Sequence, residues 1–449
     1  MPTSRTATLT AATVWGALRG LETFSQLVYW DLDLQRPADP EAGYVLRWAP
    51  WVIDDAPRFK HRGVLIDTAR HYLSVATIMR QIDAVAFCKM NTLHWHAVDG
   101  DAFPIRSDAF PQLAEMGAYS PVATYSKEQV AAVVDHARFR GVRIVVEFDV
   151  PGHSTAWSLG LPDLFISCPP SAARGDFGGI TRMLDPTDPK AYAFLDALIA
   201  EMAPRFPDNV MHFGGDEVDL HCWNASATVQ RWLAAHPGKT VTDLYVEFEL
   251  KLHAIAARHN KSVSSWADVF LAANATKTAL PPGSVAQVWG RSPSVADVAR
   301  AGVGSVRSTG YYLNGGFSTG GCAVVWESIY NDDPMPEGLT PAEEAHVLGG
   351  EAAMWGEITD DFNIDSKLWF RAAVLAERYW SSNASIAAQV TPWPASYTSP
   401  DINARMIRHR CRLLQRGIQA QPYSTLAVTA RSRWSQCELF LPPSHSHRQ

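Results

Sequence analysis

The chain contains eight short apolar runs that alternate with helical segments, and this alternation constrains its fold more than any other feature. The runs lie at residues 63–67, 91–99, 142–149, 209–217, 261–268, 284–289, 304–312 and 346–355. Continuous apolar runs of this length are typical of buried parallel strands. Eight strands alternating with helices predict an α/β fold of the (β/α)8 TIM-barrel type. A doubly wound sheet is the alternative, but no glycine-rich phosphate-binding fingerprint follows any run.

One helix–strand unit is complete between residues 126 and 149. Ser126 and Gln129 have the spacing of a capping box, and Gly141 marks the end of the predicted helix. The apolar run at residues 142–148 follows at once and predicts a buried strand.

The runs define a barrel domain at residues 60–400, with further segments on either side. Residues 1–59 form a lead-in, in which Val14, Leu18, Leu21 and Val28 share one stripe of an amphipathic helix. Residues 401–429 predict a C-terminal helical extension. Residues 430–449, rich in Ser, Arg and His, predict a disordered tail.

Composition argues against several classes of partner. The formal net charge is −7 and no dense run of Lys or Arg occurs, so neither nucleic acid nor an anionic membrane is expected as a partner. No apolar run is long enough to span a membrane, and the N-terminal residues lack the apolar core of a signal peptide. The 16 tryptophans favour sugar binding, because flat indole rings stack on the apolar faces of pyranoses.

The cysteines match no zinc-binding spacing, and spacing alone does not give their pairing. They lie at Cys88, Cys168, Cys222, Cys322, Cys411 and Cys437. Glycosylation sequons begin at Asn224, Asn260, Asn274 and Asn383, which is weak support for a secretory route because sequons often arise by chance.

Polar and aromatic residues gather where the predicted strands end. The ends of the first four strands carry Asp67, Asp99, Asp149, Asp216 and Glu217. The ends of the last four carry Trp266, Trp289, Tyr311, Tyr312 and Trp355. In a TIM barrel the active site forms at this edge, so the joint pattern predicts a catalytic site there, although any one of these residues alone suits a turn or a helix cap.

The sequence Gly214-Gly215-Asp216-Glu217 is the densest part of this pattern. Adjacent side chains of a regular strand point to opposite faces, so both carboxylates reach one site only if the glycines bend the chain there. Neighbouring carboxylates shift each other's pKa apart, which lets one hold a proton near neutral pH as a glycosidase acid must. The alternative is that Glu217 caps the next helix.

Two basic residues lie next to predicted strands. Arg62 precedes the first strand, and its guanidinium would suit neighbouring sugar hydroxyls. The alternative is a salt-bridged arginine in the barrel floor. His153 follows the third strand and alone suits a structural loop as well as a catalytic role.

The seventh and eighth strands end in further candidates. Tyr311, Tyr312 and Asn314 offer two phenols and an amide, with packing the alternative for one of the phenols. Trp355 and Glu357 place an apolar platform beside a carboxylate.

These residues lie in long motifs that occur in order between residues 11 and 422. The motifs are GALRGLETFSQL, PRFKHRGVLIDTARHYL, NTLHWHAVD, EFDVPGHSTAW, HFGGDEVDLHCW, QVW, YYLN, GGEAAMWGE and LAERYWS. Together they resemble the β-N-acetylhexosaminidases of glycoside hydrolase family 20, in particular the eukaryotic lysosomal type.

The resemblance implies an exo-acting hydrolase for terminal N-acetylglucosamine or N-acetylgalactosamine on oligosaccharides and glycoconjugates. The reaction would proceed with retention through an oxazolinium intermediate formed by the substrate's own acetamido group. No cofactor or metal is implied. A lysosomal or secreted location and a homodimer are further expectations from the resemblance.

The resemblance also assigns roles to individual residues. Glu217 would be the general acid and base, Asp216 would hold the acetamide N–H, and Tyr312 would donate to the acetamide oxygen. Asp99 and His153 would form a supporting network. The residues implied to bind the sugar are Trp266, Trp289, Trp355, Arg62, Glu357 and Asn314.

Some features depart from the family pattern. Asp99 is followed by Gly100, where the family usually has a second Asp. The signal peptide and small α/β domain of full-length relatives are absent, which predicts a fragment or an incomplete gene model. Cys168 and Cys222 match a family disulfide, whereas Cys411 matches only half of another.

Two other classes of function compete with a hexosaminidase. Gly100 and the absent leader suggest a catalytically weakened carbohydrate-binding barrel, against which the intact Asp216, Glu217 and Tyr312 argue. A magnesium enzyme could use Asp149, Asp216 and Glu217 as ligands. That interpretation leaves the strand-end tryptophans unexplained.

Overall fold

A computed structural model describes residues 6–30, 44–46, 49–168, 182–315, 324–387 and 400–422. Its centre is a closed barrel of eight strands, in which every neighbouring pair is parallel. The strands are β1 His61–Asp67, β2 Thr92–Val98, β3 Arg143–Phe148, β4 Val210–His212, β5 Ser262–Trp266, β6 Val285–Val288, β7 Gly304–Arg307 and β8 Val347–Met354. Each predicted apolar run overlaps one of them, so the predicted (β/α)8 barrel is confirmed.

The strands follow one another around the barrel in chain order, and β8 pairs with β1 to close it. The α-helices are Val14–Leu27, Val75–Phe87, Gln112–Gly117, Lys127–Phe139, Trp157–Gly160, Pro189–Met202, Leu220–Ala225, Ala227–Ala235, Val241–Arg258, Ala267–Ala275, Val295–Arg300, Trp326–Asn331, Pro341–Glu344, Ile364–Leu368, Arg371–Trp380, Asn383–Ala387 and Pro400–Gln415. The predicted capping box of Ser126 and Gln129 begins the helix Lys127–Phe139.

Two short antiparallel sheets lie outside the barrel. One pairs Tyr29–Trp30 with Tyr44–Val45, and the other pairs Phe165–Ser167 with Arg182–Leu184. A disulfide joins Cys168 to Cys222, with the two Cα atoms 5.3 Å apart, as the family pattern implied.

The interior of the barrel is polar, whereas the apolar core lies between the strands and the helices. Strand β2 shows how the sequence produces this division. His94 and His96 point inward, where they meet Glu147 and Glu351, while Trp95 points outward and packs 5.2 Å from Tyr125 between ring centroids. All of these side chains are buried.

Each flanking segment contains one α-helix within its described residues. The lead-in helix forms at Val14–Leu27, but Val14 and Leu21 of its apolar stripe are 64% and 55% exposed. The buried residue of that helix is Arg19, which donates to the carbonyl of Gly141 at 2.8 Å. The helix Pro400–Gln415 occupies the predicted C-terminal extension. The predicted tail at residues 430–449 lies outside the described residues.

Within the described ranges, no helix combines the length and the apolar character that crossing a membrane requires.

Candidate active site

Aromatic side chains from four strand ends meet at one edge of the barrel. Trp266 and Trp355 are buried with ring centroids 5.7 Å apart, and Tyr312 lies 6.0 Å from Trp355. Trp289 packs against the same cluster and donates its indole N–H to Asp268 at 2.8 Å. The structure therefore brings together the three tryptophans and the tyrosine that the sequence marked as candidates.

The turn after β4 allows consecutive carboxylates to face this cluster. Gly214 and Gly215 have φ angles of +65° and +88°, and Glu217 itself has a φ of +50°. A Cβ on Gly214 would lie 1.7 Å from Oδ1 of Asp149, so only glycine fits there. Asp149 accepts a hydrogen bond from the Gly215 N–H at 3.1 Å, and the hydroxyl of Tyr245 donates to the Gly215 carbonyl. The turn is therefore held from both sides.

Both carboxylates beyond this turn reach a single histidine. Nε2 of His153 lies 3.3 Å from Oε2 of Glu217 and 3.8 Å from Oδ2 of Asp216. The alternative role for Glu217 as a helix cap is wrong, because Asp219 caps the helix Leu220–Ala225 by accepting from the N–H groups of His221 and Cys222.

A chain of alternating histidines and carboxylates supports the site from inside the barrel. Nδ1 of His153 lies 3.2 Å from Asp99, whose other oxygen lies 2.8 Å from Nε2 of His96. Nδ1 of His96 lies 2.5 Å from Glu147. Because each imidazole stands between carboxylates, both of its nitrogens have an acceptor and the cationic form is favoured.

Charges in this chain set the protonation of its members. Burial acts to raise the pKa of Asp99, but Arg70 and then His153 hold it well below the usual range. Burial acts to lower the pKa of His153, but Asp99 and Asp216 raise it well above the usual range. The site therefore contains a partly buried imidazolium beside the two catalytic candidates.

The two adjacent carboxylates respond to this imidazolium in opposite directions. Burial, together with Asp268 and Glu217, raises the pKa of Asp216 to about 7, against the opposing effect of His153. The hydrogen bond from His153 lowers the pKa of Glu217. The pKa values of the pair are therefore shifted apart, and without a bound sugar the higher one belongs to Asp216 rather than to Glu217.

Comparison with known proteins agrees with this geometry. Residues 59–383 match the glycosyl hydrolase family 20 catalytic domain, and residues 2–27 match a region described as beta-acetyl hexosaminidase like. The chain is 37% identical to beta-hexosaminidase subunit alpha of Mus musculus over 93% of its own length and 74% of that protein. It is 38% identical to beta-hexosaminidase subunit beta of Homo sapiens over 93% of its own length and 70% of that protein. The chain belongs to glycosyl hydrolase family 20.

Solved structures of family 20 have the same architecture. The chitobiase of Flavobacterium johnsoniae is 30% identical with a TM-score of 0.73, over 90% of this chain and 57% of that one. The N-acetyl-β-hexosaminidase of Streptomyces plicatus, in complex with Thio-NAglucal, is 25% identical with a TM-score of 0.70, over 92% of this chain and 79% of that one.

Arg62 does not reach the family 20 site, so its predicted role in sugar binding is wrong. It is the second residue of β1, at the end of the strand opposite to the site, and it is 4% exposed. Its guanidinium donates to the carbonyls of Phe59 at 2.7 Å and Lys89 at 3.1 Å. Arg62 is therefore a floor residue, held by carbonyl groups rather than by the salt bridge of the alternative interpretation.

Arg70 is the arginine at the site, and it is not among the residues predicted from the sequence. Its guanidinium contacts Asp67 at 3.1 Å, Asp99 at 2.8 Å and Asp101 at 3.3 Å, and it lies 5.1 Å from the ring centroid of Trp355. The available signal was its position directly after the end of the first strand rather than before its start.

Polar atoms without partners mark the part of the site that a ligand would fill. Buried side-chain atoms without a hydrogen-bond partner occur at several places in the described residues, and at the site they include Asp216 Oδ1, Asn314 Nδ2 and Glu357 Oε2. Burial also raises the pKa of Glu357. These three atoms belong to predicted site residues, where a bound ligand would supply the missing partners.

Gly100 leaves room for the aspartate that family 20 usually has at this position. A Cβ there would meet no atom closer than 3.8 Å, and its φ lies outside the left-handed region. The neighbouring Asp101 instead supplies a carboxylate to Arg70. The backbone therefore does not require glycine at this position.

The magnesium alternative is not supported by the side chains present. Within the described ranges, every group of His, Cys, Asp and Glu residues close enough to share an ion includes a histidine. The predicted set of Asp149, Asp216 and Glu217 is not one of these groups, and magnesium prefers oxygen ligands.

Proposed function

We propose that this chain is a retaining exo-β-N-acetylhexosaminidase that removes terminal N-acetylglucosamine or N-acetylgalactosamine by substrate-assisted catalysis. The observation that carries the proposal is the placement of Asp216 and Glu217 on one histidine beside the cluster of Trp266, Trp289 and Trp355. Family 20 membership and the names of the mouse and human relatives support the same activity.

In the first step the acetamido group acts as the nucleophile. The unpartnered Oδ1 of Asp216 accepts its N–H, and the hydroxyl of Tyr312 donates to its oxygen. The oxygen attacks the anomeric carbon while the bond to the leaving oxygen breaks, and Glu217 gives its proton to that oxygen. Asp216 then faces the positive charge of the oxazolinium ring, which its carboxylate stabilises.

In the second step Glu217 acts as the base. Its carboxylate removes a proton from a water molecule, whose oxygen attacks the anomeric carbon as the bond to the acetamide oxygen breaks. Two displacements at one carbon give net retention. Holding the acetamido group in attack geometry supplies a large effective concentration of the nucleophile.

The proton must move within the carboxylate pair when the sugar binds. In the ligand-free protein Asp216 holds it, since its pKa is about 7 while that of Glu217 is lowered. The acetamide N–H stabilises ionised Asp216, and the sugar excludes water from Glu217, which is 53% exposed without it. Both effects favour the proton on Glu217, where the reaction needs it.

Arg70, Glu357 and Asn314 are proposed to bind the ring hydroxyls. Arg70 takes the role that the sequence analysis assigned to Arg62, because it lies at the mouth of the barrel over Trp355. Glu357 and Asn314 each offer a buried, unpartnered atom.

Matched arginine substitutions test this part of the proposal. We expect Arg70→Lys to lower kcat/KM by about 100-fold, because an ammonium group cannot make the forked contacts of a guanidinium. We expect Arg62→Lys to change kcat/KM by less than about threefold while lowering the free energy of unfolding by about 1–3 kcal/mol. Steady-state kinetics and urea unfolding measure both, and a larger kinetic loss for Arg62→Lys would reverse the two assignments.

Hydrolysis of paired chromogenic substrates tests the proposed activity itself. We expect turnover of 4-nitrophenyl N-acetyl-β-glucosaminide, its galactosaminide counterpart, or both, at rates far above those of a Glu217→Gln control and unaffected by a chelator. Turnover no faster than the control would support the carbohydrate-binding barrel instead. Activity lost with chelator and restored by magnesium would support the metal enzyme.

We further propose a lysosomal or secreted location. The Cys168–Cys222 disulfide supports it, because disulfides persist in oxidising compartments, and all four sequon asparagines are exposed. The homodimer remains a prediction, which light scattering of the purified chain would test.

A further inference from the structure

Glu147 on β3 is fully buried, and its carboxylate contacts four rings at once. Oε1 accepts from the indole N–H of Trp266 at 2.8 Å and lies 3.0 Å from Nδ1 of His212. Oε2 lies 2.5 Å from Nδ1 of His96 and 2.9 Å from Nε2 of His94. Arg70 also joins both sides of the candidate site, through Asp99 and Trp355, but Glu147 does so from inside the barrel.

Each oxygen supports a different part of that site. Through Oε1, Glu147 fixes Trp266, which packs on Trp355 in the aromatic cluster. Through Oε2 it fixes His96, which holds Asp99 and thereby the His153 that contacts Glu217.

We propose that Glu147 is a positioning residue that fixes two parts of the site relative to one another. One is the acetamido-binding wall of Trp266 and Trp355, and the other is the acid–base chain of His96, Asp99, His153 and Glu217. This inference rests on the proposed function, since it concerns the geometry of that reaction. The attacking acetamide oxygen lies against the wall, whereas the proton donor lies at the end of the chain. Both must meet the same glycosidic bond, and a displacement of about 1 Å between them can cost about 100-fold in rate.

The charges around Glu147 make this arrangement specific for a carboxylate. Burial acts to lower the pKa of His94, but Glu351 and Glu147 raise it to about 9. Burial also acts to lower the pKa of His96, but Glu147 raises that pKa well above the usual range. A neutral amide at position 147 would leave these cations without their shared counter-ion and would reverse the polarity of one hydrogen bond.

Glu351 on β8 provides a matched control in the same barrel interior. It is 1% exposed, and it lies 2.6 Å from Nδ1 of His94 and 2.9 Å from Nε2 of His61. None of its described contacts is with Trp266 or His96. Glu351→Gln therefore removes a buried charge of the same kind from a residue that touches neither Trp266 nor His96 and reaches them only through His94.

The test compares E147Q and E351Q of the full chain on 4-nitrophenyl N-acetyl-β-glucosaminide. We expect both to lower the Tm. We expect E147Q to lower kcat by about 100-fold and E351Q by less than about fivefold. If E147Q does not fold, H96Q and H61Q cut the corresponding histidine contacts of the two carboxylates, and only H96Q is expected to lower kcat by tenfold or more.

The pH profile is a readout that a merely structural role would not move. In the wild type the alkaline limb of kcat/KM is expected near pH 7. There the pair of Asp216 and Glu217 loses the one proton that Glu217 needs for the first step. Glu147 is one of the anions that raise this pKa, so the limb should move to lower pH in E147Q and stay in place in E351Q. The charged or titratable groups that face Asp216 are Glu147, Asp149, His153, Glu217, Tyr245, Asp268 and Tyr312.

The outcomes separate this inference from the proposed function. A wild type without turnover would refute the proposed function. An active wild type with equal kinetic losses in E147Q and E351Q, or in H96Q and H61Q, and an unmoved alkaline limb would overturn the role of Glu147 alone.

Discussion

Glu217→Gln is expected to lower kcat/KM by about 1,000-fold for substrates with sugar leaving groups and far less for a dinitrophenyl leaving group. Glutamine keeps the shape of the side chain but has no proton to give. A sugar alkoxide is a poor leaving group and needs that proton, whereas dinitrophenolate leaves without it. Because kcat/KM reports the steps up to departure of the leaving group, it isolates this role.

The measurement is a comparison of kcat/KM for an N,N′-diacetylchitobioside and a dinitrophenyl N-acetyl-β-glucosaminide, in the wild type and in Glu217→Gln. An equal loss on both substrates would mean that Glu217 does not act as the acid. Its contact with His153 would then serve only to hold the turn after Gly215.

Asp216→Asn is expected to lower kcat/KM by about 1,000-fold whatever the leaving group. The carboxylate both accepts the acetamide N–H and stabilises the oxazolinium charge, and preorganised groups of this kind contribute several kcal/mol to a barrier. Asparagine supplies no charge. The uniform loss distinguishes this residue from Glu217, whose effect depends on the proton that the leaving group needs.

Asp219→Asn is the matched control for this substitution. Asp219 lies on the same turn but caps the helix Leu220–Ala225, a role that asparagine fills equally well. We expect its kcat/KM to stay within about threefold of the wild type. A loss in Asp216→Asn no larger than this would remove Asp216 from the mechanism.

The sequence predicted the parts of the site that depend on strand ends. The carboxyl ends of parallel barrel strands converge at one edge, so residues such as Trp266 and Trp355 could be expected to meet although they are far apart in the chain. The two glycines before Asp216 showed where a strand bends, because positive φ angles favour glycine.

Strand direction explains the error with Arg62. Both Arg62 and Arg70 flank the same apolar run, but Arg62 precedes it and Arg70 follows it. Because β1 begins at His61, Arg62 lies at its floor end and Arg70 just past its active-site end. Barrel sites form at the carboxyl ends of the strands, so the order of the two arginines along the chain favours Arg70 over Arg62.

Protonation and indirect contacts could not be predicted from the sequence. The pKa of Asp216 is raised chiefly by burial, whereas the hydrogen bond from His153 lowers the pKa of Glu217, and both environments arise only in the fold. Glu147 sits in an apolar strand, and nothing in the sequence indicates that four rings converge on it.

The most direct test of substrate-assisted catalysis is kcat/KM for 4-nitrophenyl glycosides whose N-acetyl group carries zero, one, two or three fluorine atoms. Fluorine withdraws electrons from the acetamide oxygen and weakens it as a nucleophile, while the leaving group is unchanged. If that oxygen attacks the anomeric carbon with Asp216 holding the N–H, kcat/KM falls steeply with each added fluorine. Values that stay constant across the series would contradict the account and assign the attack to a side chain or to water.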